Sequence, residues 1–90
     1  MIVRGFIRSA DLEERPPGSE QIELMLRVQG VGPGQPRVIV VPHGLLISDP
    51  SLDPEAMAGR SFAAEVSVDA EVRWIVSQIS LGARALREES

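Results

Sequence analysis

The stretch from Glu20 to Gln29 constrains this chain most. Ile22, Leu24, Leu26 and Val28 alternate there with Gln21, Glu23, Met25, Arg27 and Gln29. Successive side chains of a strand point to opposite sides, so this period of two predicts a strand with one buried face. The segment Gly30 to Pro36, GVGPGQP, breaks it, and Arg37 to Val41 is β-branched and apolar. Together they predict a hairpin with a wide loop.

The rest of the chain has to wall in the same core. From Ile2 to Ile7, alternation puts Val3, Gly5 and Ile7 on one face and Arg4, Phe6 and Arg8 on the other. Gly5 inside that strand predicts a bend or bulge. Asp11 to Ser19, with Pro16, Pro17 and Gly18, reads as a polar loop. Pro42, His43 and Gly44 end the third strand, and Leu45 to Ile47 reads as its continuation past a kink. Asp53 suits an N-cap, Pro54 the first helical position and Gly59 the stop. This predicts one short helix that turns Leu52, Ala56 and Met57 to the core. Arg60 to Asp69 alternates again, with Phe62, Ala64, Val66 and Val68 on one face. A turn at Asp69 to Glu71 leads into a last strand, Val72 to Leu81. A three-residue turn sets Trp74 opposite Val66 and Val76 opposite Ala64, all pointing inward, whereas a two-residue turn buries Ile75 and Ile79 instead.

The order is strand, strand, strand, short helix, strand, strand. With the Gly5 bend, the long central hairpin and the stretch LDPEAMAGRSFAAEVSVD, it resembles the OB-fold. In many OB-like domains a short helix ends in Gly plus a basic residue and runs directly into the fourth strand. The expectation is a mainly β protein: a five-stranded OB-like barrel with one short helix between strands 3 and 4. It occupies residues 1–82 as one domain, with 83–90 a polar C-terminal tail.

Composition sets the outer limits. Ninety residues, 43% of them hydrophobic, suit one globular domain. No apolar run approaches the ~20 residues of a membrane span, and MIVRGFIRS does not read as a signal peptide. Cysteine is absent, so there is no disulfide framework or thiolate metal site. These features predict a cytoplasmic protein without membrane attachment. All nine basic residues are Arg, and Lys, Asn, Thr and Tyr are absent too. That pattern fits the bacterial-like codon bias of a GC-rich genome.

No constellation for catalysis stands out. The run Gly30 to Gly34 is followed by a strand, whereas a phosphate-binding glycine loop opens a helix. His43 is the only His, which predicts a satisfied turn residue and not a ligand or base. Ser48 and Asp49 lack a nucleophile elbow. Glu13, Glu14, Asp49 and Asp53 have no calcium-loop spacing, and solubility and capping account for them. The expectation is a non-enzymatic module with no cofactor and no metal.

The OB resemblance implies oligonucleotide binding on the second and third strands and the loops after the first and fourth. Such sites use aromatic stacking in a basic groove. Here the only aromatics are Phe6, Phe62 and Trp74, the net charge is −4, and both loops are acidic. Only Arg27 and Arg37 favour a phosphate contact. Met25, Arg27 and Ile39 share a face of the central hairpin that is expected to be exposed, as a protein interface would be. The candidate binding residues are therefore Met25, Arg27, Arg37 and Ile39. The preferred reading is a protein partner or a second copy. Single-stranded nucleic acid on the central hairpin is the alternative, without tight binding at physiological salt.

Overall fold

A computed structural model of the chain describes residues 1–14 and 17–84. Five strands, β1 (Ile2–Glu14), β2 (Ile22–Gly30), β3 (Val38–Val41), β4 (Arg60–Val68) and β5 (Trp74–Arg84), close into a barrel in the order β1-β2-β3-β5-β4. β1 pairs antiparallel with both β2 and β4, and a parallel pairing of Val40 with Ile75 joins β3 to β5. The arrangement is mainly β and compatible with an OB-like fold. Among the described residues no helix is long and apolar enough to cross a membrane.

The alternating residues of β2 and β4 line the core as expected. Leu24, Leu26, Val28, Phe62, Ala64 and Val66 are all buried. Val3 and Ile7 join them from β1, and Gly5 between them is buried too. A Cβ at Gly5 would overlap the carbonyl of Gln29, so the glycine lets β1 cross β2 closely. The irregularity predicted near Gly5 falls three residues on: the register shifts between Ile7 and Ser9, leaving Arg8 as an extra residue in β1.

This bulge corrects the first strand's end. β1 runs to Glu14, so Asp11 to Glu14 extend the hairpin and do not begin a loop. Adding one residue reverses the side-chain phase, which sets Ala10 and Leu12 opposite Leu26 and Leu24. Read in a single phase, the same residues look like the start of a polar loop. Arg15 and Pro16, part of the expected loop, lie outside the described residues.

The segment after Pro42 is a second correction. Leu45 to Ile47 do not extend β3; they belong to a short helix, α1 (His43–Ser48). Leu45 and Leu46 pack against the core from it. Nδ1 of His43 accepts a hydrogen bond from the backbone N–H of Ile22 at 3.1 Å, which ties α1 to the start of β2. The expected helix is also present, as α2 (Pro54–Met57), with the Asp53 side chain accepting from Glu55 N–H at 3.0 Å. Met57 and Leu52 are buried beneath the barrel. Two short helices therefore separate strands 3 and 4 where one was expected.

The β4–β5 turn has three residues, one position later than predicted. Asp69 and Arg73 flank it: Asp69 N–H donates to the Arg73 carbonyl at 2.9 Å, and Val72 N–H to the Asp69 carbonyl at 3.0 Å. Trp74 thus sits opposite Val68, and Val76 opposite Val66. Trp74 still faces inward and packs against the core, though half-buried. A register shift between Glu65 and Val66 then reverses the phase of β5, so Ile79 and Leu81 also pack on the core. β5 continues to Arg84, past the expected domain end, and the tail from 85 to 90 lies outside the described residues.

Candidate functional site

The outer face of the β1–β2 ribbon is sorted by charge. Antiparallel partners share a face, so the register sets Glu13 beside Glu23, Asp11 beside Met25, Ser9 beside Arg27 and Phe6 beside Gln29. Arg4 and Arg8 flank Phe6 along β1. One end of the ribbon is therefore acidic and the other basic.

At the acidic end one arginine, Arg73, is shared among three carboxylates. Nη1 of Arg73 lies 2.9 Å from Oε1 of Glu23, and its Nε lies 3.0 Å from Asp69 and 3.2 Å from Glu71. Hydrogen bonding to Glu23 holds the guanidinium above its ordinary pKa. The Arg73 backbone N–H, foremost, holds the Asp69 carboxyl below its ordinary value. The two oxygens of Glu14 accept from Gly18 and Glu20 N–H at 3.0 and 3.2 Å, which secures the β1–β2 turn.

The basic end opens into a groove of about 720 Å³ between the ribbon and the β2–β3 loop. Arg8, Arg27 and Arg37 line it, with Gln29, Gln35 and the backbone of Gly32 and Gly34. Among the described residues no carboxylate lines it. Each guanidinium reaches the site for a local reason. Arg8 is the extra residue of the β1 bulge. Arg27 stands on the outer phase of β2, and the Arg37 carbonyl accepts from Val28 N–H at 2.9 Å, pinning that residue to β2. Gly32 and Gly34 have φ of 95° and 75°, values that let the loop fold back without side chains in the groove. The three arginines are exposed, and among the described residues none forms an ion pair. Arg8 Nη1 lies 3.5 Å from Gln29 Oε1. Along the ribbon, the carboxylate that follows the basic group is Asp11, opposite Met25.

Of the candidate residues, Arg27 and Arg37 come together in this groove. Met25 is half-buried farther along the same face, opposite Val40, and does not line it. Ile39 is corrected: it pairs with Leu26, and both are fully buried. Arg37 precedes β3, which begins at Val38, so its exposure does not carry two residues on to Ile39, which faces the core opposite Leu26. Arg8 was missed because its place beside Arg27 depends on the bulge. Its signal was present in the shared face of Arg4, Phe6 and Arg8. The chain has no match among protein-family models, curated proteins or solved structures.

Proposed function

We propose that this chain is a non-catalytic binding module that holds a short stretch of single-stranded nucleic acid in the Arg8–Arg27–Arg37 groove. The observation that carries the reading is the clustering of three arginines with no carboxylate beside them among the described residues, in a chain of net charge −4. Unpaired guanidinium groups facing one cavity suit phosphate, which they bind in a bidentate manner. Phe6, 42% exposed on the same face, offers a ring on which a base can stack. The acidic loops stand at the opposite end of the ribbon, away from the groove, where Arg73 pairs with Glu23 and Asp69. They therefore weigh less against nucleic acid than their composition implies. A protein interface around Met25 and Ile39 loses support, because Ile39 is in the core.

The site is also offset from the one implied by the OB resemblance. It uses β1, β2 and the β2–β3 loop, and neither the β1–β2 nor the β4–β5 loop. With three phosphate contacts, binding is weak and salt-sensitive. The expected slope of log K against log salt is about −2 for a single strand. Titrating the protein with a labelled single-stranded oligonucleotide at two salt concentrations tests this. Binding that weakens about 20-fold between 50 and 200 mM salt supports the reading, and salt-independent or undetectable binding refutes it.

A further inference from the structure

β5 is much longer than its neighbour on one side. β4 pairs with it from Trp74 to Arg84, whereas β3 meets it only where Val40 stands opposite Ile75. β3 ends at Val41, and the chain turns into α1, which packs against β2, while α2 packs against β1. Among the described residues no backbone hydrogen bond reaches the β3-side edge of β5 from Ser77 to Leu81. The Gly82 carbonyl just beyond accepts from Nε of Arg60 at 2.9 Å. An unpaired strand edge is a template for another strand, and proteins commonly blunt it with charge or proline. This edge has neither, since Trp74 to Ala83 contains no charged residue and no proline. Ser77, Gln78 and Ser80 are exposed, and Ile79 and Leu81 are only partly buried. β1 differs: it leaves β4 after Phe6, and beyond that point it carries Asp11, Glu13 and Glu14. Those carboxylates oppose pairing with a like strand.

We infer that the β5 edge binds a second copy of this chain, the two β5 strands pairing antiparallel about a two-fold axis at Ser80. Identical antiparallel strands are self-complementary, so the contact closes at two copies. The register centred on Ser80 sets Ile79 of each copy opposite Leu81 of the other. Both residues already pack on their own core, and the pairing covers the part of them that it leaves exposed. It places no like charges opposite each other, because the paired stretch has none. The acidic end of β1 discourages growth beyond the dimer. No β5 residue lines the Arg8–Arg27–Arg37 groove, so the pairing does not depend on the groove's reading.

The test is sedimentation equilibrium of the intact protein, of Ser80→Glu and of Ser80→Arg. The intact protein is expected to show the mass of two chains. Each variant places like charges directly opposite at the axis and should raise the dimer dissociation constant about fivefold. An equimolar mixture of the two variants should restore the dimer, because Glu then meets Arg. The mixture separates a two-fold contact at Ser80 from a general loss of folding. Amide exchange of the intact protein gives a second readout, with slower exchange between Ser77 and Leu81 as concentration rises. A single-chain mass at millimolar protein overturns the proposal. So does a dimer that both variants leave unchanged, or one whose protected amides lie outside β5.

Discussion

The two loops of this barrel that follow β2 and β4 treat arginine in opposite ways. At the β4–β5 turn, Arg73 is enclosed by Glu23, Asp69 and Glu71. Asp69 also accepts from the backbone N–H of Glu71 and Arg73 at 3.0 and 2.8 Å. At the β2–β3 loop, Arg27 and Arg37 meet Arg8 across an open groove with no carboxylate in its lining among the described residues. The first arrangement uses its charges within the fold, and the second leaves them for a ligand. Composition alone hides this contrast, since a net charge of −4 averages over both ends.

Substitutions at the two ends should therefore change different observables. The largest effect on stability belongs to the core beneath the groove. Ile39→Ala should cost about 2–5 kcal/mol in chemical denaturation, as for a buried Ile. A near-neutral result would return Ile39 to the surface. Replacing Arg27 and Arg37 with Ala should reduce the salt slope for a single strand from about −2 to roughly −0.7. The same pair should leave stability within about 0.5 kcal/mol per site, as surface changes do.

At the other end the expectation inverts. Asp69→Ala should lower the thermal midpoint and leave oligonucleotide binding unchanged, because it strips the turn of two hydrogen bonds to Asp69 Oδ1 and Arg73 of a partner. The Asp69 carboxyl is held below its ordinary pKa. Its contribution is thus present above the unfolded value and lost as pH falls through the folded one. Melting curves of Asp69→Asn should accordingly lose part of the acid sensitivity of the parent.

The smallest effect concerns Val72, 76% exposed at φ 62° in the same turn. A β-branched residue strains that conformation by about 1–2 kcal/mol. Glycine's extra freedom in the unfolded chain offsets about 0.5–1 kcal/mol. Val72→Gly should raise stability by about 0.5–1 kcal/mol in denaturant titration. A loss would mean that Val72 makes contacts worth more than the strain.

How far the sequence revealed this molecule follows from where the period of two holds. β2 and β4 keep one phase across the barrel, and their buried residues were legible directly. β1 and β5 change phase at bulges, which leave no mark in a hydrophobic pattern. That is why Asp11 to Glu14 resembled a loop, and why Arg8 was not placed beside Arg27. The β4–β5 turn was misplaced by one residue because Val72 occupies a position that favours glycine. Asp69 caps the turn from the flanking position, where it accepts the backbone N–H groups of residues 71 and 73. α1 escaped notice because Leu45, Leu46 and Ile47 suit a strand as readily as a helix, and only packing against the core decides between them. In the site, Arg27 was legible from its polarity and phase and Arg37 from its polarity alone, since it precedes β3, and Ile39 was misassigned by one step in β3.

The most direct measurement is a map of backbone amide shifts in the ¹⁵N-labelled protein as a single-stranded oligonucleotide is added. Shifts are expected at Arg8, Arg27, Gln29 and the loop from Val31 to Arg37, with the turn from Asp69 to Arg73 unmoved. Shifts centred on the β4–β5 turn, or none at oligonucleotide concentrations that saturate weak binding at low salt, would contradict it.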